Sequence, residues 1–283
     1  MTLCIAAACR DNRKPRIVLA TDWRVETSIA SGDTQDKMYW ITGDIPVLIA
    51  GTVSRAIELR DTYKQFLEER EKREARKPDN EKTPITPSNL TDIFKTPLII
   101  FKNKLANEYV GLKYGMTYKA FLAAIAKKEI PTAVAEKELE EIGKLGFDCC
   151  LIIMLFLNKE PYILKVHDDG SLENCENFAA IGSGEDIASS TLFQREQEAD
   201  DSMSSTIYCV FEAMQIGSIA PGVGKFFTLD VMYPQGEKDK EVYGEWLNKK
   251  GQKFMASQFK KRGPKAFINF PRLPDKCLEK FTQ

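Results

Sequence analysis

The chain has 283 residues, 43% of them hydrophobic and 29% charged, with a formal net charge of -1. These are the proportions of a globular protein, with chain enough for one large domain or two small ones. A charge so near zero gives no global attraction to nucleic acid or to an anionic membrane surface.

The first predicted element is an apolar run, Leu3–Cys9, closed by the turn Asp11-Asn12-Arg13-Lys14-Pro15. An unbroken apolar run of that length reads as a strand buried on both faces. Further strands are predicted at Arg16–Thr21 and Pro46–Ile49, the last running into Ala50-Gly51-Thr52. From Val53 the pattern turns helical, with Val53, Ala56, Ile57, Tyr63 and Leu67 on one side. The charge-dense stretch EEREKREARKPDNEK reads as a solvated helix end and a loop. Ser88-Asn89 offers a cap for a second helix through Ile93, Phe94 and Leu105, with Pro97 as a kink point. Tyr114 to Lys144 reads as amphipathic helix broken at Pro131.

Strands return at Phe147–Leu157 and Tyr162–His167 around the turn Asn158-Lys159-Glu160-Pro161, and again at Phe178–Ile181 before Gly182-Ser183-Gly184. Helices are predicted over Asp186–Glu198 and Ser205–Gln215, a last strand over Lys225–Tyr233, and mostly helix over Val242–Lys261. No repeat or Ser/Gly linker divides the chain. The order predicts an α+β protein, two sheets packed together with a helical layer outside each, as a single domain over 1–283. Residues 72–144 form its extended helical region and 240–283 a C-terminal helical extension.

The longest apolar strand run, Cys149 to Leu157, is far short of the roughly 20 residues of a membrane-spanning helix. No basic flank precedes the apolar start, as a secretory signal requires. The seven cysteines have no CxxC spacing and read as buried, reduced thiols. The expectation is a cytoplasmic protein with no nucleic-acid or membrane partner. The single histidine, His167 in VHDDGS, reads as an exposed turn residue, which excludes histidine-rich zinc sites and disfavours a Ser-His-Asp triad. GSGED and PGVGK match neither phosphate-binding glycine pattern, so no cofactor and no metal is expected. The stretch 248–266 carries Lys249, Lys250, Lys253, Lys260, Lys261, Arg262 and Lys265 without a carboxylate, a solvated helix face or a docking patch.

The element order, together with ATDWR, KMYWI, IAGT and IGSG and a threonine at position 2, resembles the proteasome β-subunit family of N-terminal nucleophile (Ntn) hydrolases, and within it the bacterial homologues. The likeness covers Thr2 to about Leu67 and about Phe147 to Tyr233. It implies a four-layer αββα sandwich, here with an enlarged helical insertion, and a threonine peptidase whose nucleophile is the hydroxyl of Thr2 once Met1 is removed. It also implies assembly into homo-oligomeric rings, peptide or unfolded-protein substrates and, in some relatives, an ATPase partner.

By the same resemblance Lys37 supplies a positive field and Asp22 pairs with it. Arg24 is structural support, Gly51 donates its N–H to the oxyanion, and Ser183 helps relay protons. Val25, Ile49 and Val53 line the specificity pocket, which implies cleavage after apolar residues. The chemistry has its own logic. A threonine hydroxyl is a weak nucleophile and needs a base within hydrogen-bond reach. Its own α-amine, ordinarily with a pKa of about 7.7–8.0, serves if a neighbouring cation pushes that value down.

One part of the pattern fails. An Asp and a Ser three residues apart usually precede the last core strand, whereas Ile219 and Gly222 stand there in this chain. That departure keeps one rival open, a ring subunit that retains the fold without the chemistry; a second rival, an Ntn amidase acting on a small amide, is disfavoured by the absence of a cysteine at position 2.

Overall fold

The computed structural model describes residues 2–26, 31–33, 37–234, 242–263 and 278–282. The chain opens with strands β1 (Leu3–Asp11), β2 (Lys14–Asp22), β3 (Arg24–Glu26), β4 (Ser31–Asp33), β5 (Met38–Thr42) and β6 (Ile45–Gly51). Four α-helices follow: α1 (Val53–Ala75), α2 (Leu90–Tyr114), α3 (Tyr118–Ala126) and α4 (Thr132–Gly143). Then come β7 (Cys149–Leu157), β8 (Glu160–Val166), β9 (Leu172–Cys175), β10 (Phe178–Gly182), α5 (Glu185–Gln194) and α6 (Met203–Gly217). The described chain ends with β11 (Phe227–Met232), β12 (Val242–Leu247), α7 (Lys249–Arg262) and β13 (Leu278–Thr282). The protein is mixed α+β, with a six-stranded sheet β10-β1-β2-β11-β12-β13 and a five-stranded sheet β5-β6-β7-β8-β9.

Two compact units are distinguished. The first comprises Met1–Val53, Cys150–Val166 and Glu173–Gln283. Its organisation follows from period-two alternation on strands without a polar face. Along β1, Leu3, Ile5, Ala7 and Cys9 join Val18 and Ala20 of β2 in a core shared with α5 and α6. The intervening Cys4, Ala6 and Ala8 join Ile17 and Leu19 in a second core against Leu48, Ile152, Met154 and Ile163 of the other sheet. Helices, sheet and sheet are thus stacked in that order. A bidentate ion pair ties the end of α5 to α6, with Arg195 Nε and Nη2 each 2.7 Å from a Glu212 carboxylate oxygen.

The β1–β2 and β7–β8 hairpins turn on Asn12-Arg13 and Asn158-Lys159, all four residues with positive φ. Two-residue loops of this kind match the right-handed twist of the strands they join. The second turn is therefore tighter than the four residues expected, and β8 already begins at Glu160.

The second unit comprises Ser54–Cys149 and His167–Leu172. Tyr63 packs on Phe94 and donates its hydroxyl to the Phe94 carbonyl at 2.9 Å, while Phe101 meets Phe147 edge-on. Ala106, Val110, Phe121 and Ile142 bind α2, α3 and α4 together. The helical expectations here hold in outline: Pro131 separates α3 from α4, and α2 continues through Pro97 as one element. His167 opens its turn as expected but is half-buried rather than exposed.

The C-terminal part corrects the sequence. Residues 242–247 are strand, not helix, because β12 pairs with β11 (Asp230 opposite Trp246) on one side and with β13 on the other. A strand joined only to distant partners has little local signature when a strong helix former follows it. That helix, α7, begins where the Asn248 side chain accepts the amides of Lys250 and Gly251, both at 3.0 Å. Asn248→Ala is expected to destabilise the protein by about 1 kcal/mol, read by urea unfolding. Among the described residues, no helix is long and apolar enough to cross a membrane.

Candidate active site

β1 and β2 are antiparallel, so the start of one and the end of the other share an edge of the six-stranded sheet, where Cys4 faces Thr21. That pairing places Thr2, just before β1, beside Asp22, the last residue of β2. Lys37 arrives immediately before β5, and its carbonyl accepts the Ile49 amide at 3.1 Å. Two sheets therefore deliver three side chains to one point.

The contacts are direct. The Thr2 hydroxyl donates to Asp22 Oδ1 at 2.6 Å, and Lys37 Nζ lies 2.6 Å from the same oxygen and also donates to Thr2 Oγ1. Asp22 Oδ1 further accepts the Leu3 amide at 3.0 Å, and Oδ2 accepts the Gly224 amide at 2.9 Å. All three side chains are buried: Asp22 has no exposed surface, Thr2 3% and Lys37 5%. Burial of an ion pair is tolerated where further hydrogen bonds satisfy the charges, and here the carboxylate has four donors.

Ser183 closes the other side. Its Oγ accepts the Thr2 backbone N–H at 3.3 Å and lies 3.3 Å from the Thr2 carbonyl and 3.4 Å from that of Pro221. The preceding Gly182 is the register partner of Leu3, with φ of 101°. A Cβ on it would fall 2.2 Å from the Thr2 carbonyl oxygen, so only glycine lets the two backbones approach this closely.

Thr2, Asp22, Lys37 and Ser183 are thus joined in one hydrogen-bonded set. Arg24, half-buried, packs beside the set, where a Cβ on Gly224 would meet its Cβ at 2.9 Å. Gly51 ends β6 with φ of 92° and presents its backbone at the exposed strand end, two residues past Ile49. Ile49 is 2% exposed, and its carbonyl accepts the Cys4 thiol. Val53 is half-buried at the start of α1, and the Val25 side chain lies outside the described residues. Among the described residues, no group of three or more His, Cys, Asp and Glu side chains is placed to hold a metal.

Gly182 and Gly224 are the site residues that sequence reasoning missed in these roles. The departure at Ile219 and Gly222 takes on a different meaning here. Ile219 is 77% exposed, and the same loop reaches Asp22 through the backbone amide of Gly224. The signal available was the glycine spacing of PGVGK, which no side-chain pattern scores.

Cysteine thiols are further candidate nucleophiles in the first unit. Burial pushes the Cys9 and Cys209 thiols up to about 12 and that of Cys175 up to about 11. At pH 8 a thiol with a pKa near 12 is thiolate in only about one molecule in ten thousand. Iodoacetamide at that pH is expected to leave Cys9 and Cys209 unmodified in the native protein and to modify both in urea, read by peptide mapping.

No protein-family model matches the chain, and no curated protein matches its sequence.

Proposed function

We propose that the chain is an Ntn hydrolase of the proteasome β-subunit type, a threonine peptidase acting through Thr2 after cleavage of the Met1–Thr2 bond. The observation that carries this reading is the Thr2 hydroxyl held directly between Lys37 Nζ and Asp22 Oδ1. The stack of helices on a sheet on a second sheet supports the corresponding αββα architecture.

In this reading, cleavage turns the Thr2 amide nitrogen, already 3.3 Å from Ser183 Oγ, into a free amine. The Lys37 ammonium, held by Asp22, disfavours a second positive charge nearby and keeps the amine neutral. The amine takes the proton from Oγ1, and the oxygen attacks a peptide carbonyl. The backbone N–H of Gly51 donates to the resulting oxyanion. Collapse breaks the C–N bond, the leaving nitrogen takes the proton back, and an ester on Thr2 remains. Water activated by the same amine hydrolyses that ester and restores the hydroxyl. Val25, Ile49 and Val53 would give a preference for apolar residues before the cleaved bond. Ring assembly of identical subunits belongs to the same proposal.

The test is the intact mass before and after a peptide vinyl sulfone or β-lactone. The expected result is a chain without Met1 that gains one stoichiometric adduct, mapped to Thr2 and lost in Thr2→Ala. Retained Met1, or a free Thr2 inert to both reagents, would replace this reading with a ring subunit that lacks the chemistry. Labelling at Thr2 with turnover of small amides but not of peptides would point to the amidase.

A further inference from the structure

A cavity of about 1100 Å³ opens on the first unit at the same end of the six-stranded sheet as Asp22. Residues of α6, of α7 and of the strand ends line it. Its walls are aromatic: Trp23, the residue after Asp22; Phe226, whose carbonyl accepts the Trp23 amide; Phe227, register partner of Asp22; and Trp246 of β12. Phe227 is braced edge-on by Phe211 from α6. The outer rings face solvent, with Phe226 70%, Trp246 43% and Trp23 39% exposed.

The charged residues that line the cavity have one sign. Lys225, Lys249, Lys250 and Lys253 line the cavity, no carboxylate does, and none of the four forms an ion pair among the described residues. In a protein of net charge -1 this is a marked local asymmetry. Three of the lysines lie on the first turns of α7, where the N-terminal end of the helix adds to the positive potential instead of offsetting it. Lysines placed against their own helix end, around exposed aromatic rings, are unfavourable for the isolated chain.

We propose that this groove binds an acidic peptide segment of a protein partner, one that carries aromatic or long aliphatic side chains between its carboxylates. Exposed aromatic rings with a charged rim are what an interface centre looks like before its partner arrives. These lysines select the sign of that partner and steer its approach. An enclosed pocket with converging polar groups would favour a small ligand, whereas here the rings themselves are open to solvent.

Two of the three tryptophans line the groove, so fluorescence reports its occupancy directly. The probe is a fluorescein-labelled synthetic peptide of Glu, Asp, Phe and Leu, titrated by polarisation and by tryptophan quenching. It should bind the full chain. Binding should weaken about tenfold when ionic strength rises from about 0.05 M to about 0.5 M, because the lysines are exposed. Peptides with Lys for the acids, or Ser for Phe and Leu, should not bind. Lys249→Glu/Lys253→Glu should lose the acidic peptide and gain the lysine one, a reversal that misfolding cannot mimic. Trp246→Ala should weaken binding with no change in far-UV circular dichroism.

Binding indifferent to the charge reversal would overturn the proposal, as would no binding at low salt. Tighter occupancy by sodium laurate would assign the groove to a small amphipathic anion instead. Self-association abolished by Trp246→Ala would assign it to a second copy of the chain.

Discussion

Lys37→Met is expected to destabilise the protein by about 3 kcal/mol and to abolish labelling of Thr2. The stability loss arises because Asp22 has no exposed surface. Without the ammonium its charge stays buried, held among the described residues by the Thr2 hydroxyl and by the amides of Leu3 and Gly224. Those dipoles offset part of the loss, which puts the figure at the lower end of the range for broken buried pairs. The two side chains touch, so their substitutions must couple. Asp22→Asn/Lys37→Met is therefore expected to be more stable than Lys37→Met alone, since the double variant buries no unpaired charge. Urea unfolding of the four proteins in the cycle measures this. Simple additivity would mean that the ion pair does not hold the site together. Labelling separates stability from chemistry: the double variant should remain unreactive even where it is well folded, because the proposed mechanism requires a cation facing the Thr2 amine.

The second large effect is expected at Gly182. An alanine there brings a Cβ to 2.2 Å from the Thr2 carbonyl oxygen and 2.7 Å from its Cγ2, on a residue with φ of 101°. Both atoms belong to Thr2, and one is backbone, so no side-chain rotation relieves the clash. Backbone strain and overpacking together place the cost at about 3 kcal/mol or more. Gly184, two residues on, is the control. Its φ of -94° suits any residue, and its added Cβ would meet Gly217, Leu3 and Val223 at 3.1–3.2 Å. Gly184→Ala is expected to cost about 1 kcal/mol or less, since the neighbours must move only a few tenths of an ångström. Comparable melting temperatures for the two variants would show that the approach of β10 to Thr2 is looser than described. If Gly182→Ala folds at all, Thr2 is displaced and its labelling should fall further than its stability.

Much of this arrangement was legible in the chain. The apolar run Leu3–Cys9 announced a strand covered on both faces, and it has one core on either side. The helical spacing from Val53 and the break at Pro131 appeared as elements because they rest on periodicity and on proline, which act within a few residues. The strand at 242–247 escaped because its pairing with β11 and β13 involves residues more than ten positions away, beyond the reach of local periodicity. The site divides in the same way. Thr2, Asp22, Lys37 and Ser183 were singled out as residue types in short motifs that resemble a known family. Gly224 was not, because its contribution is a backbone amide aimed by a loop, and any non-proline residue has one.

The sequence by itself determined which residues are chemically able to act: a hydroxyl, a carboxylate, an ammonium and a serine, with glycines beside them. It also determined the elements that carry them, since alternation and turn chemistry are local. Only the tertiary structure decided that these groups meet. Contact between residues 2, 22, 37 and 183 depends on two sheets packing face to face and on an antiparallel register that sets Leu3 opposite Gly182. The groove beside the site has the same origin. Its lysines and aromatic rings lie in separate segments of the chain, and packing α7 against the sheet end makes them one surface.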